Sequence, residues 1–142
     1  MKKYYFAYGS NLNLDQMAHR CPTAKVVGVG MLNGYKLIFN RVASIEPDTS
    51  QSVPVGIWEI DEYCEASLDL YEGYPRLYRK EKVSVRFDGQ EIEGMIYIMN
   101  STGKQPPNNT YFQTIQIGYR NIGLDEKYLA AAYIDLFKPD SD

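Results

Sequence analysis

Glu72 is the acidic residue whose place in the sequence best suits proton transfer. It lies in the segment 68–80, which reads LDLYEGYPRLYRK, one residue before Gly73. If the preceding segment is a helix, Glu72 borders an apolar stripe through Leu68 and faces the negative end of the helix dipole. Partial burial and that dipole both raise the pKa of a carboxyl group, which suits a general base or acid at neutral pH. The alternative is an ordinary helical glutamate, because glutamate favours helices.

A turn near the N-terminus is the second candidate site. Residues 4–12 read YYFAYGSNL, an aromatic strand that breaks at Gly9, Ser10 and Asn11 before the chain becomes apolar again. Consecutive backbone N–H groups ahead of a helix suit an anion such as a carboxylate, and glycine allows close approach of the backbone. The same residues also form ordinary strand-to-helix turns. Taken alone, the turn therefore leaves both interpretations open.

Other catalytic chemistries have little support in the sequence. His19 is the single histidine, which argues against a histidine-based metal cluster or a Ser-His-Asp triad. Gly9 belongs to neither a GxGxxG nor a GxxxxGK motif, so a nucleotide-binding loop is not indicated. The formal net charge of −3 gives no basic face for nucleic acid. We therefore expect no metal, cofactor or nucleic-acid partner.

The two cysteines are related to the cellular compartment of the protein, because the compartment determines whether they are oxidised or reduced. Cys21 and Cys64 lack CxxC spacing, and the apolar run after Met1 is too short for a signal peptide. We therefore predict two free thiols in the core of a cytoplasmic protein. No stretch approaches the length of a membrane span, so we expect no membrane contact.

The predicted elements place both candidate sites in one α+β domain, residues 1–142. The patterns predict single strands at 2–8 and 53–60. They also predict two hairpins, one within 25–42 that turns at Asn33-Gly34 and one of strands 78–87 and 91–99 that turns at Asp88-Gly89. They predict helices at 14–20 with Asn13 as the cap, at 61–71 with Gly73 and Pro75 ending the helix, at 111–121 and at 126–137. Polar loops are predicted at 46–52 and 100–110. This order indicates an antiparallel sheet that curls towards a barrel, with helices packed outside.

The two candidate sites together resemble the gamma-glutamylcyclotransferase superfamily. The segments YFAYGSNL at 5–12, LDLYEGYPRLYRK at 68–80 and GLDEKYL at 123–129 occur in the order that this family shows. The form EGYPRLY is closest to its AIG2-like and gamma-glutamylamine cyclotransferase branch. The resemblance spans nearly the whole chain.

The resemblance implies a small, mainly antiparallel β-barrel with flanking helices and a cofactor-independent enzyme. It assigns proton transfer to Glu72 and substrate binding to Tyr8, Gly9, Ser10, Asn11, Leu12 and Tyr111. Tyr78, Tyr97 and Tyr119 are further candidates for the cavity wall. The implied partner is a small gamma-glutamyl compound, with a leaning towards gamma-glutamyl amines. Its own α-amine would attack its γ-carbonyl, close a five-membered ring and release 5-oxoproline with a free amine or amino acid.

Two other interpretations remain open at this stage. The domain could bind a small ligand or a partner without catalysis, or it could be an amidase that uses water in place of the substrate amine. The turn amides could grip the α-carboxylate of the substrate or stabilise the oxyanion that develops on its γ-carbonyl.

Overall fold

The computed structural model describes residues 2–138 as a closed β-barrel with helices around it. The strands are β1 (Lys3–Ala7), β2 (Lys25–Asn40), β3 (Val42–Ile60), β4 (Tyr78–Phe87) and β5 (Gln90–Met99). The helices are α1 (Leu14–Arg20), α2 (Glu62–Glu72), α3 (Asn109–Ile122) and α4 (Lys127–Asp135). The strand order is β1-β3-β2-β4-β5, which confirms the predicted α+β barrel. No helix within these residues has both the length and the apolar character needed to cross a bilayer.

The first strand lies between β3 and β5 in the barrel wall and leads into the candidate turn. β1 pairs antiparallel with β3 and parallel with β5, and the other strand pairs are antiparallel. Tyr5, Phe6 and Ala7 are all buried, as expected for a strand that is apolar on both faces. The chain leaves the barrel at Gly9 and forms a short 3-10 turn over residues 10–12.

The predicted hairpin turn at Asn33-Gly34 is wrong. β2 continues through these residues to Asn40, and the chain reverses at Arg41, whose φ is 68°. Gly34, with φ 85°, instead lies at a register shift between β2 and β3, because a left-handed glycine suits a bulge as well as a turn. The predicted polar loop at 46–52 is also wrong, because these residues belong to β3. Their polar side chains lie on an exposed stretch of the hairpin that β2 and β3 form.

Helix caps fix the positions of both candidate sites. The side chain of Asn13 accepts a hydrogen bond from the Gln16 N–H at 3.1 Å and starts α1, as predicted. α2 ends at Gly73, which has φ 65° and whose N–H donates back to the last turn of the helix. Glu72 is therefore the last residue of α2.

The prediction of two free thiols is wrong, because Cys21 and Cys64 form a disulfide. Cys21 follows the last residue of α1, and Cys64 lies in the first turn of α2. The packing of these two helices brings together cysteines that are 43 residues apart in the chain. The disulfide thus links the helix that ends with Arg20 to the helix that ends with Glu72.

Candidate active site

A cavity of about 300 Å³ lies at the end of β1 and contains most of the predicted site residues. The predicted residues that line it are Tyr8, Gly9, Ser10, Asn11, Glu72, Tyr78, Tyr97 and Tyr111. Tyr5, Val42, Ala43, Tyr71 and Leu77 complete the lining. The turn and the carboxyl group, which are about sixty residues apart in the sequence, therefore share one hollow.

Two predicted residues lie outside this lining. The Leu12 side chain is fully buried against α3, where a Cβ added to Gly118 would come within 2.8 Å of the Leu12 Cβ. Its backbone N–H donates to the Gly9 carbonyl at 3.0 Å, so that amide is occupied within the turn. Tyr119 is also fully buried, in the core beneath α3. The structure thus brings Leu12 and Tyr119 to the core and not to the cavity.

Close packing explains the glycine in the turn. A Cβ added to Gly9 would lie 3.3 Å from the Cβ of Ala43 and 3.5 Å from the hydroxyl oxygen of Tyr111. A side chain at this position would therefore be tightly packed against Ala43 of β3 and in van der Waals contact with Tyr111. The turn backbone can approach the cavity closely because glycine occupies its first position.

Asn11 connects the turn to the carboxyl group. Its side chain is buried, and its Nδ2 donates to the Tyr5 hydroxyl at 3.0 Å and reaches Oε1 of Glu72 at 3.5 Å. The side-chain carbonyl of Asn11 accepts from Nη1 of Arg20. The hydrogen bond from Arg20 fixes the side-chain carbonyl of Asn11. The amide hydrogens on Nδ2 therefore point towards Tyr5 and Glu72.

The environment of Glu72 suits proton exchange at neutral pH. Burial raises the pKa of its carboxyl group from the ordinary value of 4.5 to about 7, although the positive charge of Arg20 acts in the opposite direction. Both protonation states are therefore populated near neutrality, which is the condition for a group that accepts and later returns a proton. The predicted upward shift of this pKa follows mainly from burial.

Arg20, like Tyr5, is a site residue that the sequence analysis missed. In addition to Asn11 it contacts Ser10, with Nη1 at 3.3 Å from the hydroxyl oxygen, and its guanidinium lies 3.0 Å from the centre of the Tyr71 ring. Burial lowers the pKa of Arg20, yet an arginine side chain stays charged at neutral pH. Its position beside His19 in a short polar helix gave no sign of these contacts, which depend on how α1 packs on the turn.

Three cavity tyrosines donate their hydroxyl hydrogens to the protein. Tyr8 donates to the backbone carbonyl of Tyr97 at 2.6 Å, and Tyr78 donates to that of Ala43 at 2.7 Å. The Tyr97 hydroxyl donates to Oδ1 of Asp69 at 2.6 Å. These bonds fix the wall of the cavity.

Two other tyrosines have the opposite role. The Tyr5 hydroxyl accepts from Asn11, and the Tyr111 hydroxyl accepts from the N–H of Ala43 at 3.0 Å. Burial raises the pKa of Tyr5 well above its usual range and that of Tyr111 to about 12, so both keep their protons at neutral pH. Each hydroxyl therefore retains a hydrogen with which it can bind an oxygen of a ligand.

The cavity thus combines hydrogen-bond donors with one carboxyl group. Across residues 2–138, no group of three or more His, Cys, Asp or Glu side chains is arranged to hold a metal ion. The backbone turn and two tyrosine hydroxyls can bind oxygen atoms, and Glu72 can exchange a proton with a bound molecule. Such a site suits a small carboxylate-containing ligand with a group that must lose a proton.

The chain is similar in sequence and in fold to known proteins. Residues 5–116 match the family described as gamma-glutamyl cyclotransferase, AIG2-like. The chain is 30% identical to the gamma-glutamylcyclotransferases of Mus musculus and Homo sapiens, over 87% of this chain and 73% of each relative. A solved structure titled gamma-glutamyl cyclotransferase shares the fold with a TM-score of 0.84 and 26% identity, and the match covers 100% of this chain and 91% of that chain.

Proposed function

The chain belongs to the AIG2-like gamma-glutamyl cyclotransferase family, and we propose that it releases 5-oxoproline and a free amine or amino acid from a gamma-glutamyl amide. The observation that carries the proposal is the shared cavity of Glu72 and the turn at Gly9, Ser10 and Asn11. A substrate bound there would have its α-amine close to a carboxyl group with a pKa of about 7. The reaction is an intramolecular acyl transfer, so the protein need not supply a nucleophile.

The glutamyl end of the substrate carries the groups that this cavity is suited to bind. The hydroxyl hydrogens of Tyr5 and Tyr111 and the turn backbone offer donors to its α-carboxylate and to the oxygen of its γ-carbonyl. One set of donors would hold the carboxylate, and the other would stabilise the oxyanion that forms on the γ-carbonyl. Holding the substrate folded in this way brings its amine to its own carbonyl, and such orientation can lower the barrier by several kcal/mol, up to about 7–11 in ideal cases.

Glu72 would act in two successive proton transfers. The ionised carboxylate first removes a proton from the α-ammonium of the substrate. The free amine then attacks the γ-carbonyl carbon and forms a tetrahedral intermediate. Protonated Glu72 returns a proton to the leaving nitrogen, and the bond between this nitrogen and the former carbonyl carbon breaks. The departing amine takes the second proton of the ring nitrogen, and 5-oxoproline and the protonated amine are released. General acid–base catalysis of this kind typically contributes about 10²–10⁴-fold.

Mass spectrometry of 5-oxoproline tests the proposal. The protein is incubated with a panel of gamma-glutamyl amides and dipeptides, each with its α-amine either free or acetylated. We expect 5-oxoproline from substrates with a free amine and no reaction when the amine is acetylated. Hydrolysis of acetylated substrates to acetylglutamate would identify an amidase. Binding without turnover across the panel would identify a non-catalytic ligand-binding domain.

The cytoplasmic location predicted from the lack of a secretory signal stays a prediction. The disulfide between Cys21 and Cys64 argues against it, because disulfides are rare in reducing compartments. Fractionation of cells that express the protein, with free thiols alkylated before lysis, would report both the compartment and the oxidation state of this pair.

A further inference from the structure

The outer rim of the cavity is apolar, and this feature bears on the choice of substrate. On the premise of the function proposed above, we propose that the enzyme prefers gamma-glutamyl amides whose leaving amine carries an uncharged, apolar group. The residues that would select this group are Val42, Tyr71 and Leu77.

The lining of the cavity divides into a buried interior and an exposed rim. Tyr5 and Tyr97 are 4% and 2% exposed, whereas Tyr71 and Leu77 are 57% and 66% exposed. Val42 is half-buried and belongs to the same lining. The glutamyl end of a substrate takes the interior, because the turn and the tyrosine hydroxyls are there. The leaving amine must then point outwards.

The position of Glu72 directs the leaving group towards this rim. The carboxyl group must reach the leaving nitrogen to return its proton, and Glu72 lines the same cavity as the exposed Tyr71 and Leu77. A group attached to that nitrogen therefore extends past Glu72 to the exposed residues. The side chains that it meets there are the tyrosine ring, the leucine and the valine.

The backbone holds Leu77 firmly although its side chain faces solvent. Its N–H donates to the Gly73 carbonyl at 2.9 Å, and its carbonyl accepts from the N–H of Asn100 at 3.0 Å. The leucine side chain packs over Gly73, where an added Cβ would lie 2.9 Å from Cδ1 of Leu77. An exposed apolar side chain that is already ordered loses little freedom when a ligand covers it, so burial of apolar ligand surface there favours binding.

The surroundings of the cavity disfavour an anionic leaving group through charge and a cationic one through loss of hydration. Among the described residues that line it, Glu72 is the one with a charged side chain. Arg20 stacks on the Tyr71 ring, bonds to Ser10 and Asn11, and is not part of the lining. A carboxylate on the leaving group would meet Glu72 without a cation in the lining. An ammonium group would lose hydration against the apolar rim.

A matched substrate series tests this preference. The series consists of gamma-glutamyl amides of methylamine, 3-methylbutylamine, 1,4-diaminobutane and glycine, and the readout is kcat/KM for the release of 5-oxoproline. We expect the 3-methylbutyl amide to exceed the methyl amide about 10-fold or more, since each methylene in an apolar pocket contributes a measurable factor. The diaminobutane and glycine derivatives should fall below the 3-methylbutyl amide.

Two variants test whether the rim residue Leu77 causes the preference for an apolar leaving group. Leu77→Ser should reduce the ratio of the 3-methylbutyl amide to the methyl amide towards one. Leu70→Ser is the matched control, because Leu70 is 85% exposed on α2 and lies outside the cavity lining. It should leave the ratio unchanged. Circular dichroism of both variants checks that each is folded.

The outcomes separate this inference from the proposed function. Release of 5-oxoproline at equal rates from all four amides, or fastest from the glycine derivative, would overturn the substrate preference and leave the cyclotransferase proposal standing. Arg76 is exposed and precedes Leu77 in the chain, although it does not line the cavity. If the glycine derivative is preferred and Arg76→Gln abolishes this preference, Arg76 and not the apolar rim would select the leaving group. An equal loss in Leu70→Ser and Leu77→Ser would also overturn the role of the rim. No 5-oxoproline from any amide would overturn both proposals.

Discussion

Glu65 and Glu72 lie on the same helix, α2, yet their carboxyl groups have opposite surroundings. Glu65 accepts hydrogen bonds from Lys3 and from Lys80, the latter at 2.7 Å. Burial alone would raise the pKa of Glu65, but these hydrogen bonds and charges lower it overall. Glu72 faces Asn11 and the cavity, and burial raises its pKa to about 7 in spite of Arg20.

The contrast teaches that the partners of a carboxyl group decide between a structural and a chemical role. Two lysines hold Glu65 in its ionised form, which suits an ion pair and not a proton carrier. Arg20 is the cation near Glu72, but its Nη1 bonds to Ser10 and Asn11, so it influences the carboxyl group from a distance. Glu72 can therefore change its protonation state near neutral pH, whereas Glu65 stays charged.

The largest effect that this comparison predicts is on turnover. Glu72→Gln should reduce kcat for 5-oxoproline release by about 10²–10⁴-fold, because the amide cannot accept a proton. Glu65→Gln, the matched control on the same helix, should retain near-wild-type kcat. Near-full activity of Glu72→Gln would remove this residue from the mechanism. Equal losses in the two variants would show that the effect comes from α2 in general.

The same substitution should change stability in the opposite direction. The pKa of Glu72 is higher in the folded state than its ordinary value, so the folded protein binds the proton more tightly and loses stability as pH rises from about 4.5 to 7. We expect Glu72→Gln to be more stable than wild type by about 1–3 kcal/mol at pH 8 and similarly stable at pH 4. Urea unfolding at both pH values measures the difference. A variant less stable at pH 8 would contradict the raised pKa.

Arg20 should control the pH dependence of the reaction. In the wild type, kcat/KM should rise with pH through about 7, because the base must be ionised. Arg20→Met removes the charge that lowers the pKa of Glu72, so the rise should move upwards by about one pH unit. Arg20→Lys keeps a positive charge and should show a smaller displacement. An unchanged profile in Arg20→Met would limit Arg20 to a structural role in the turn.

The smallest expected effect is on the ion pairs of Glu65. Its lowered pKa stabilises the folded protein above the ordinary pKa of the group, and this contribution is lost as pH falls through the folded-state pKa. Glu65→Gln should therefore reduce the free energy of unfolding at pH 7 by less than about 1 kcal/mol, because the pairs are partly exposed and Lys80 keeps Asp69 as a partner at 3.0 Å. Thermal unfolding at pH 7 and pH 3 would detect this difference at the higher pH.

The sequence predicted those features that depend on local signals. The cap at Asn13, the helix end at Gly73 and the hairpin around Asp88-Gly89 are each encoded within a few residues, and the structure has them. Asn33-Gly34 carries a similar signal, but the pairing of β2 with β3 over a longer stretch turned it into a bulge. The residues Asn33-Gly34 are thus compatible with a turn or with a bulge, and the pairing of β2 with β3 determines that they form a bulge.

The site divides in the same way between local and tertiary signals. Gly9, Asn11 and Glu72 stood out because a turn and a helix end have sequence signatures, but these signatures alone left an ordinary turn and an ordinary helical glutamate open. The family resemblance joined them into one candidate site. Arg20 was not, because its contacts require α1 to pack against the turn. The disulfide between Cys21 and Cys64 likewise results from the packing of α1 on α2, which no spacing in the sequence reveals.

Direct titration of Glu72 tests the central claim that its surroundings make it a proton carrier at neutral pH. Carbon-13 labelling of the glutamate carboxyl groups allows each pKa to be followed by nuclear magnetic resonance in the wild type and in Glu72→Gln. The account predicts one resonance that titrates near pH 7 in the wild type and is absent from the variant. A wild-type spectrum in which every glutamate titrates at its ordinary value or below would contradict it.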